Sequence, residues 1–212
     1  MGHFLSVALR LYIQAYKTNI YQLYKQMFER DDADPEDLDF IQVLKERETD
    51  PEKRKLLDER YTDIFLVFDF DPQDHHYNVA HLTEMLAYFC ESTDHGKLYL
   101  NYPMAESFYH MPTIPDTGYL NKTVPMRILR DHAYKALVNL ETVKHNYTQF
   151  AIDKAECNIV IKTNRDKAWD MIGQPRINSC FPEQKNILNV QHTLLQNEDK
   201  VSVLCTMVSF IL

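Results

Sequence analysis

The chain has few of the residues that build small, special-purpose folds. Its four cysteines include no close pair, which excludes a zinc knuckle or a disulfide framework and predicts a reducing, cytoplasmic setting. Only four glycines are present, which argues against long flexible linkers. No apolar run approaches the ~18 residues of a transmembrane helix, and no basic stretch precedes the first apolar residues, so we expect neither a membrane span nor a signal peptide.

Positive charge is also scarce. The chain carries 23 Lys and Arg against 31 Asp and Glu, a formal net charge of −8. A surface of this sign does not hold nucleic acid through charge alone, although an enzyme that recruits nucleic acid through metal ions or a separate module stays open. The hydrophobic content of 45%, with 12% aromatic residues, is typical of a globular protein with a dense aromatic core.

The most informative segment is an apolar run that leads directly into carboxylates. Residues 64–68 read Ile-Phe-Leu-Val-Phe, and Asp69, Asp71 and Asp74 follow. A continuous apolar run predicts a strand buried on both faces, as in parallel sheets, whose ligands bind beyond the carboxyl ends of the strands. Asp69 and Asp71 leave an extended backbone on the same face, and a cation such as Mg²⁺ or Mn²⁺ relieves their repulsion. An ordinary Asp-Pro turn is the alternative interpretation of this segment.

Hydrophobic periodicity predicts an α/β region, residues 1–111, followed by a mainly helical extension, residues 112–212, on the same core. In the first region we expect strands over residues 9–16, 64–68 and 97–100, and helices that start after Thr18 or Asn19, Asp34, Asp50 and Asn78. A helix between two strands predicts parallel pairing with a right-handed crossover. In the extension we expect helices over residues 126–141, 148–171 and 182–197, and a strand or final helix over residues 200–212.

A second polar motif follows the strand predicted over residues 97–100. It contains Asn101, Pro103, Glu106 and His110. Because the carboxyl ends of parallel strands meet at one edge, we expect Asn101 and Glu106 close to the first carboxylates. Pro103 suits the start of a helix, which leaves Glu106 about one turn in, where it faces a metal ion or caps the helix.

The two motifs together resemble the Toprim-like nucleases of the OLD and RloB groups. Those proteins combine an Asp-x-Asp strand end with a later segment like Asn-Pro-x-x-Glu-x-Trp-x-x-x-His. The matching residues here are Asp69, Asp71, Asn101, Pro103, Glu106 and His110. The resemblance covers residues 9–111 and implies a small parallel Toprim-like sheet flanked by helices. It also implies metal-dependent hydrolysis of phosphodiester bonds in nucleic acid, in a bacterial protein connected with defence against phage.

The resemblance also implies roles for individual residues. The expected catalytic residues are Asp69, Asp71 and Glu106, which together with Asp74 are the expected ligands of Mg²⁺ or Mn²⁺. The expected substrate contacts are Asn101, His75 and His110. For the two histidines the alternatives are a solvated loop residue at position 75 and a packing or capping residue at position 110.

One part of the family pattern has no counterpart here. Toprim domains begin with a strand that ends in a metal-binding Glu, whereas the first acidic residue of this chain is Glu29, at the end of a predicted helix. The first strand-helix unit has been lost, or the start of the chain is assigned late, or catalysis is lacking. Two other functions therefore stay open: a degenerate domain that binds a partner protein, and a phosphatase of the haloacid-dehalogenase type with Asp69 as nucleophile.

Overall fold

The computed structural model describes residues 15, 18–29, 39–142, 147–177 and 180–211. This part of the chain has a mixed α/β fold. Its α-helices are α1 (Ile20–Phe28), α2 (Phe40–Arg47), α3 (Pro51–Asp58), α4 (Val79–Tyr88), α5 (Met126–Arg130), α6 (Tyr134–Glu141), α7 (Lys154–Met171) and α8 (Gln184–Glu198). Its strands are β1 (Phe65–Asp69), β2 (Cys90–Glu91), β3 (Gly96–Asn101), β4 (Thr123–Pro125) and β5 (Lys200–Ser202). Short 3₁₀ helices span Ala105–Tyr109, Tyr119–Asn121, Tyr147–Gln149 and Met207–Ile211.

Two small sheets organise the described chain. The first has the strand order β1-β3-β2, with β1 parallel and β2 antiparallel to β3. The parallel pairing predicted for the strands on either side of α4 is thereby confirmed, and its register sets Asp69 beside Asn101. The second sheet pairs β4 with β5, and an isolated bridge from Tyr102 to Leu204 links β3 to the segment after β5.

The prediction that the first of these strands is buried on both faces is wrong. Leu66 is 4% exposed, but Phe65 and Val67 are 40% and 41% exposed. The two faces of β1 are thus unequally covered: Leu66 faces the core, whereas the face that carries Phe65 and Val67 is partly open to solvent. A continuous apolar run shows that both faces are apolar, but it does not show that another element covers both of them.

Polar caps start the helices around the candidate site, as the sequence predicts. Asn19, Asp50 and Asn78 precede α1, α3 and α4, and the side chain of each accepts a hydrogen bond from a backbone N–H of the first helical turn. Pro51 occupies the first position of α3, where its missing N–H costs nothing. These caps fix the direction in which each helix leaves the neighbouring loop.

Other predicted elements shift or lie outside the described residues. The strand over residues 9–16 lies outside them apart from residue 15, and so does the start after Asp34; α2 begins at Phe40, capped by Asp39. The single helix over residues 126–141 is divided into α5 and α6, since His132 has a φ of 54°, which interrupts a right-handed helix.

One hydrophobic core joins elements from both halves of the chain. Leu82 of α4, Leu100 of β3, Ile187 of α8 and Leu204 beyond β5 belong to the same cluster, and each is at most 1% exposed. This core extends to the edge of the sheet at which β1 and β3 end. None of the helices in the described part of the chain combines the length and the apolarity that crossing a membrane demands.

Two glutamines attach α8 to strand backbones. The Oε1 atom of Gln184 accepts a hydrogen bond from the Leu100 N–H at 3.1 Å, and its Nε2 donates to the carbonyl of Leu98. Gln191 bonds both backbone groups of Ser202, at 2.9 Å to the N–H and 2.8 Å to the carbonyl. Each side-chain amide therefore takes the place that a peptide group of a neighbouring strand would have.

Candidate functional site

Three carboxylates lie at the edge where β1 and β3 end. Asp69 is the last residue of β1, Asp71 follows after one residue, and Glu106 lies on the 3₁₀ helix Ala105–Tyr109 that follows β3. The charge of Glu106 raises the pKa of both Asp69 and Asp71, and the charge of Asp71 raises that of Asp69, so the group is close enough to interact. We call Asp69, Asp71 and Glu106 the carboxylate edge.

Asp69 is oriented by the backbone of the neighbouring segment. Its Oδ1 accepts a hydrogen bond from the Ala105 N–H at 2.7 Å, which connects the end of β1 to the 3₁₀ helix. Burial, together with the charges of Asp71 and Glu106, raises the pKa of the Asp69 carboxyl to about 6, against the opposing effects of the Ala105 bond and the Lys135 charge. Asp69 is therefore an uncommonly basic carboxylate whose charge the surroundings oppose.

Asp71 is held in a backbone conformation that L-residues seldom adopt. Its φ of 39° lies in the left-handed region, which costs of order 1 kcal/mol and which Asp adopts more often than most other L-residues. The Asp71 N–H donates to the carbonyl of Pro103 at 3.3 Å, and the hydroxyl of Tyr21 donates to the carbonyl of Phe70. Burial raises the pKa of the Asp71 carboxyl, and a 3.1 Å hydrogen bond from Gln73 opposes the rise.

Glu106 has one oxygen engaged and one without a partner. The Lys135 ammonium lies 2.9 Å from its Oε1, while Oε2 is buried and has no hydrogen-bond partner among the described residues. The Glu106 side chain is 15% exposed and that of Lys135 is 62% exposed, so the ammonium reaches the carboxylate from the solvent side. The Glu106 contact raises the pKa of Lys135 and keeps this positive charge at the edge.

Asp74 forms a group with two histidines rather than with the other predicted metal ligands. Its carboxylate lies with the side chains of His75 and His76, and one ligand atom from each residue falls within 4.8 Å of the others. In the described residues this is the one group of three such side chains that meets that distance, so Asp69, Asp71 and Glu106 do not meet it as they stand. Asp74 still raises the pKa of Asp71 through its charge, so the two groups are neighbours.

Asn101, an expected substrate contact, lies beneath the C-terminal segment. It is fully buried, and its Oδ1 accepts hydrogen bonds from the N–H groups of Thr206 and Met207 at 3.1 and 3.3 Å. Its Nδ2 is buried without a partner in the described chain. In this arrangement Asn101 ties β3 to the end of the chain.

The two expected histidines have opposite surroundings. His110 is 1% exposed, and its ring nitrogens contact the Tyr134 hydroxyl at 3.2 Å and a Glu141 oxygen at 2.9 Å. Burial lowers the pKa of His110, against the effect of Glu141. The His75 side chain, by contrast, is 83% exposed on the loop before α4.

Lys135 and Gln73 contact the carboxylate edge although the sequence did not indicate them. Gln73 lies inside the acidic segment, and its amide suits a carboxylate partner. Lys135 comes from α6, in the part of the chain expected to form the helical extension, and no local pattern relates it to Glu106.

Comparison with family models, curated proteins and solved structures finds no significant match to this chain. Arguments about its function therefore depend on the motifs and on the geometry of the site.

Proposed function

We propose that the protein is a Toprim-like, metal-dependent hydrolase of phosphodiester bonds in nucleic acid. The observation that carries this proposal is the carboxylate edge, where burial and mutual repulsion raise the pKa values of Asp69 and Asp71. A divalent cation reverses such a rise, because it favours the charged form of each carboxylate that binds it.

The donor atoms of the carboxylate edge suit Mg²⁺ or Mn²⁺, which prefer oxygen ligands. Oε2 of Glu106 is buried without a described partner, and the bond from Ala105 fixes one oxygen of Asp69 while leaving the other for a ligand. Some side-chain rotation has to bring the three groups onto one ion, since they do not lie within 4.8 Å as a set. Rotation of Glu106 would break its ion pair with the exposed Lys135, and its Oε2 has no hydrogen bond to lose among the described residues.

Different residues of the chain have different roles in the proposed reaction. A bound cation would neutralise negative charge on the phosphate and lower the pKa of a bound water. Asp69, Asp71 and Glu106 would hold that cation, and the Ala105 N–H keeps Asp69 in position. The exposed ammonium of Lys135, 2.9 Å from Glu106, is placed to contact a phosphate oxygen once a cation takes over Glu106.

The choice of nucleic acid as substrate depends on the resemblance of the two motifs to Toprim-like nucleases. The register that sets Asp69 beside Asn101 brings those motifs to one edge, which supports reading them together. The same resemblance suggests a role in bacterial defence against phage. With a net charge of −8, the chain would meet nucleic acid through bound metal ions or a partner protein rather than through a basic surface.

Cleavage assays with Mn²⁺ or Mg²⁺ test the proposal. The substrates are single- and double-stranded DNA, RNA, and p-nitrophenyl phosphate as a phosphomonoester. We expect metal-dependent cleavage of a nucleic acid that falls at least ~100-fold in Asp69→Asn and Glu106→Gln, a loss of about 2.7 kcal/mol of transition-state stabilisation. Asp94→Asn is the matched control, because Asp94 is an exposed aspartate whose charge does not act on Asp69 or Asp71.

Each other outcome identifies a different function. Hydrolysis of the phosphomonoester alone, with loss in Asp69→Asn, would replace the nuclease by a phosphatase with an aspartate nucleophile. Calorimetry that detects no Mn²⁺ binding, together with no cleavage, would leave a domain that binds a partner protein. Equal activity of the parent and Asp69→Asn would remove the carboxylate edge from the mechanism.

A further inference from the structure

A second group of metal-ligating side chains lies on the loop between β1 and α4. Asp74, His75 and His76 bring their ligand atoms within 4.8 Å of one another. Nδ1 of His75 is 3.6 Å from Oδ1 of Asp74, and the two imidazole centroids are 3.8 Å apart. Ligand atoms on a tetrahedral Zn²⁺ ion lie about 3.3 Å apart, since bonds from zinc to nitrogen or oxygen are about 2.0–2.1 Å. Small side-chain rotations would therefore place all three residues on one ion.

The carboxylate of Asp74 is held in place from a different element. Asn19, the cap of α1, donates a hydrogen bond from Nδ2 to Oδ2 of Asp74 at 3.0 Å. The loop itself is fixed by a 2.8 Å bond from the His76 N–H to Oδ1, and by a 3.0 Å bond from the Tyr77 N–H to the Asp74 carbonyl. A supporting hydrogen bond of the kind that Asn19 makes orients a ligand and strengthens metal binding.

A cavity of about 260 Å³ adjoins these side chains, between α1, the loop and the start of α4. His75 and His76 line it, together with His81, Lys25 and Glu29. The Lys25 Nζ lies 3.4 Å from Nε2 of His76, and the Lys25 side chain is exposed. The cavity thus gives the loop site room for a further ligand and a positive charge that attracts an anion.

We propose that Asp74, His75 and His76 bind a transition-metal ion of the Zn²⁺ class at a site separate from the carboxylate edge. Two imidazoles and one carboxylate are ligands that Zn²⁺ prefers, whereas the carboxylate edge offers the oxygen atoms that Mg²⁺ prefers. A Zn²⁺ ion with three protein ligands would keep a fourth position for water or a small anion, and the adjoining cavity, which Lys25 also lines, has room for it. This site goes beyond the proposed hydrolase and does not depend on it.

Calorimetric titration with Zn²⁺ alone tests the loop site. Cys90 and Cys180 are exposed thiols that can bind Zn²⁺, so every sample carries Cys90→Ser and Cys180→Ser. We expect one Zn²⁺ per chain, with affinity at least ~100-fold weaker after His76→Ala, because a direct ligand is lost. His95→Ala is the matched control, because His95 lies 3.5 Å from Asp94 in a similar Asp-His pair that belongs to no three-residue group in the described chain.

Two further variants separate the loop site from its neighbours. Asn19→Ser keeps an oxygen that can cap α1 but cannot hold Asp74, and we expect about 10-fold weaker Zn²⁺ binding with unchanged circular dichroism. Asp69→Asn should bind Zn²⁺ as the parent does. Loss of Zn²⁺ binding in Asp69→Asn would put the ion at the carboxylate edge and overturn the proposal.

The proposal is also overturned by a parent that binds no Zn²⁺, or by His76→Ala that binds it as tightly as the parent. Because the titration does not measure cleavage, a protein without nuclease activity would leave its outcome unaffected. Failure of the loop site and failure of the proposed hydrolase are therefore separate results.

Discussion

The carboxylate edge and the interface of α8 bury polar groups in opposite ways. Gln191 is fully buried, and both polar atoms of its amide bond to Ser202. At the carboxylate edge, Glu106 keeps an oxygen without a described partner, and Asp69 has a pKa raised to about 6. Polar groups with all their partners stabilise one arrangement of the chain, whereas charges that their surroundings oppose cost stability. The pairing of Gln191 serves the fold, and the unpaired charges support the proposal that the carboxylate edge binds a ligand.

Buried polar groups near α7 follow the pattern of the α8 interface. Asn164 accepts hydrogen bonds from the Tyr119 hydroxyl and the Cys205 N–H, both at 2.8 Å, and donates to the Val160 carbonyl at 3.0 Å. Burial lowers the pKa of Lys167 to about 7, yet its Nζ still donates to two backbone carbonyls. Lys167 thus also carries a charge that burial opposes, but its Nζ has hydrogen-bond partners, whereas Oε2 of Glu106 has none among the described residues.

The largest loss of stability is expected at Gln191, whose buried amide bonds to both backbone groups of Ser202. Gln191→Met keeps the length of the side chain but leaves both backbone groups of Ser202 unpaired in a buried setting. We expect the free energy of unfolding to fall by about 3 kcal/mol in urea titrations. Gln196→Met, at an exposed position of the same helix, should change it by less than ~0.5 kcal/mol. A loss below ~1 kcal/mol in Gln191→Met would show that the pairing is dispensable.

Removing the charge of Asp69 from the carboxylate edge should instead increase the free energy of unfolding. The folded-state pKa of Asp69 is raised from 3.8 to about 6, so the folded chain loses stability as the pH rises through this window. After a discount for partial exposure, Asp69→Asn should raise the free energy of unfolding by about 2 kcal/mol near pH 8, with divalent ions chelated. The gain should disappear near ~pH 3, below both pKa values, where the parent carboxyl is largely protonated in both states.

Urea titrations of Asp69→Asn and the exposed control Asp94→Asn at both pH values measure this effect. If Asp69→Asn and the parent were equally stable near ~pH 8, the surroundings of Asp69 would not oppose its charge.

The smallest change in stability is expected at the exposed partner of Glu106. Lys135→Met should alter the free energy of unfolding by less than ~1 kcal/mol, because the Lys135 side chain is 62% exposed. The same change should raise the pKa of Asp69 further, since the ammonium lowers it. Titration of the Asp69 carboxyl by ¹³C NMR measures the shift, with Lys200→Met as the control at a distant pair with Glu198. An unchanged Asp69 pKa would show that Lys135 does not belong to the edge.

The sequence predicts the centre of the candidate site because its signals are local. An apolar run, an acidic strand end and a helix of suitable length place β1 and β3 in parallel, and the register then sets Asp69 beside Asn101. Helix caps such as Asn19 and Asn78 are equally local, since each bonds to its own first turn.

The remaining features of the site depend on partners far along the chain. Asn101 looks like a substrate contact in its motif, but its oxygen bonds to residues 206 and 207. His110 likewise contacts Glu141, and Glu106 contacts Lys135. These two partners, Glu141 and Lys135, belong to α6. The exposure of Val67 depends on which elements lie over β1, and the apolar sequence of residues 64–68 does not contain this information. No periodicity encodes such pairings, because they arise only when the core assembles.

The hydrogen bonds that Gln184 makes to β3 have a consequence for self-association of the protein. Three partners cover the side of β3 away from β1. The strand β2 pairs with residues 96 and 97, and Leu204 pairs with Tyr102. Between them, Gln184 bonds to the Leu98 carbonyl and the Leu100 N–H. A row of free N–H and C=O groups is a template for strands of other molecules. Displacing α8 would free the Leu98 carbonyl and the Leu100 N–H in the middle of this side of β3, and these two groups would then be open to a strand of another molecule.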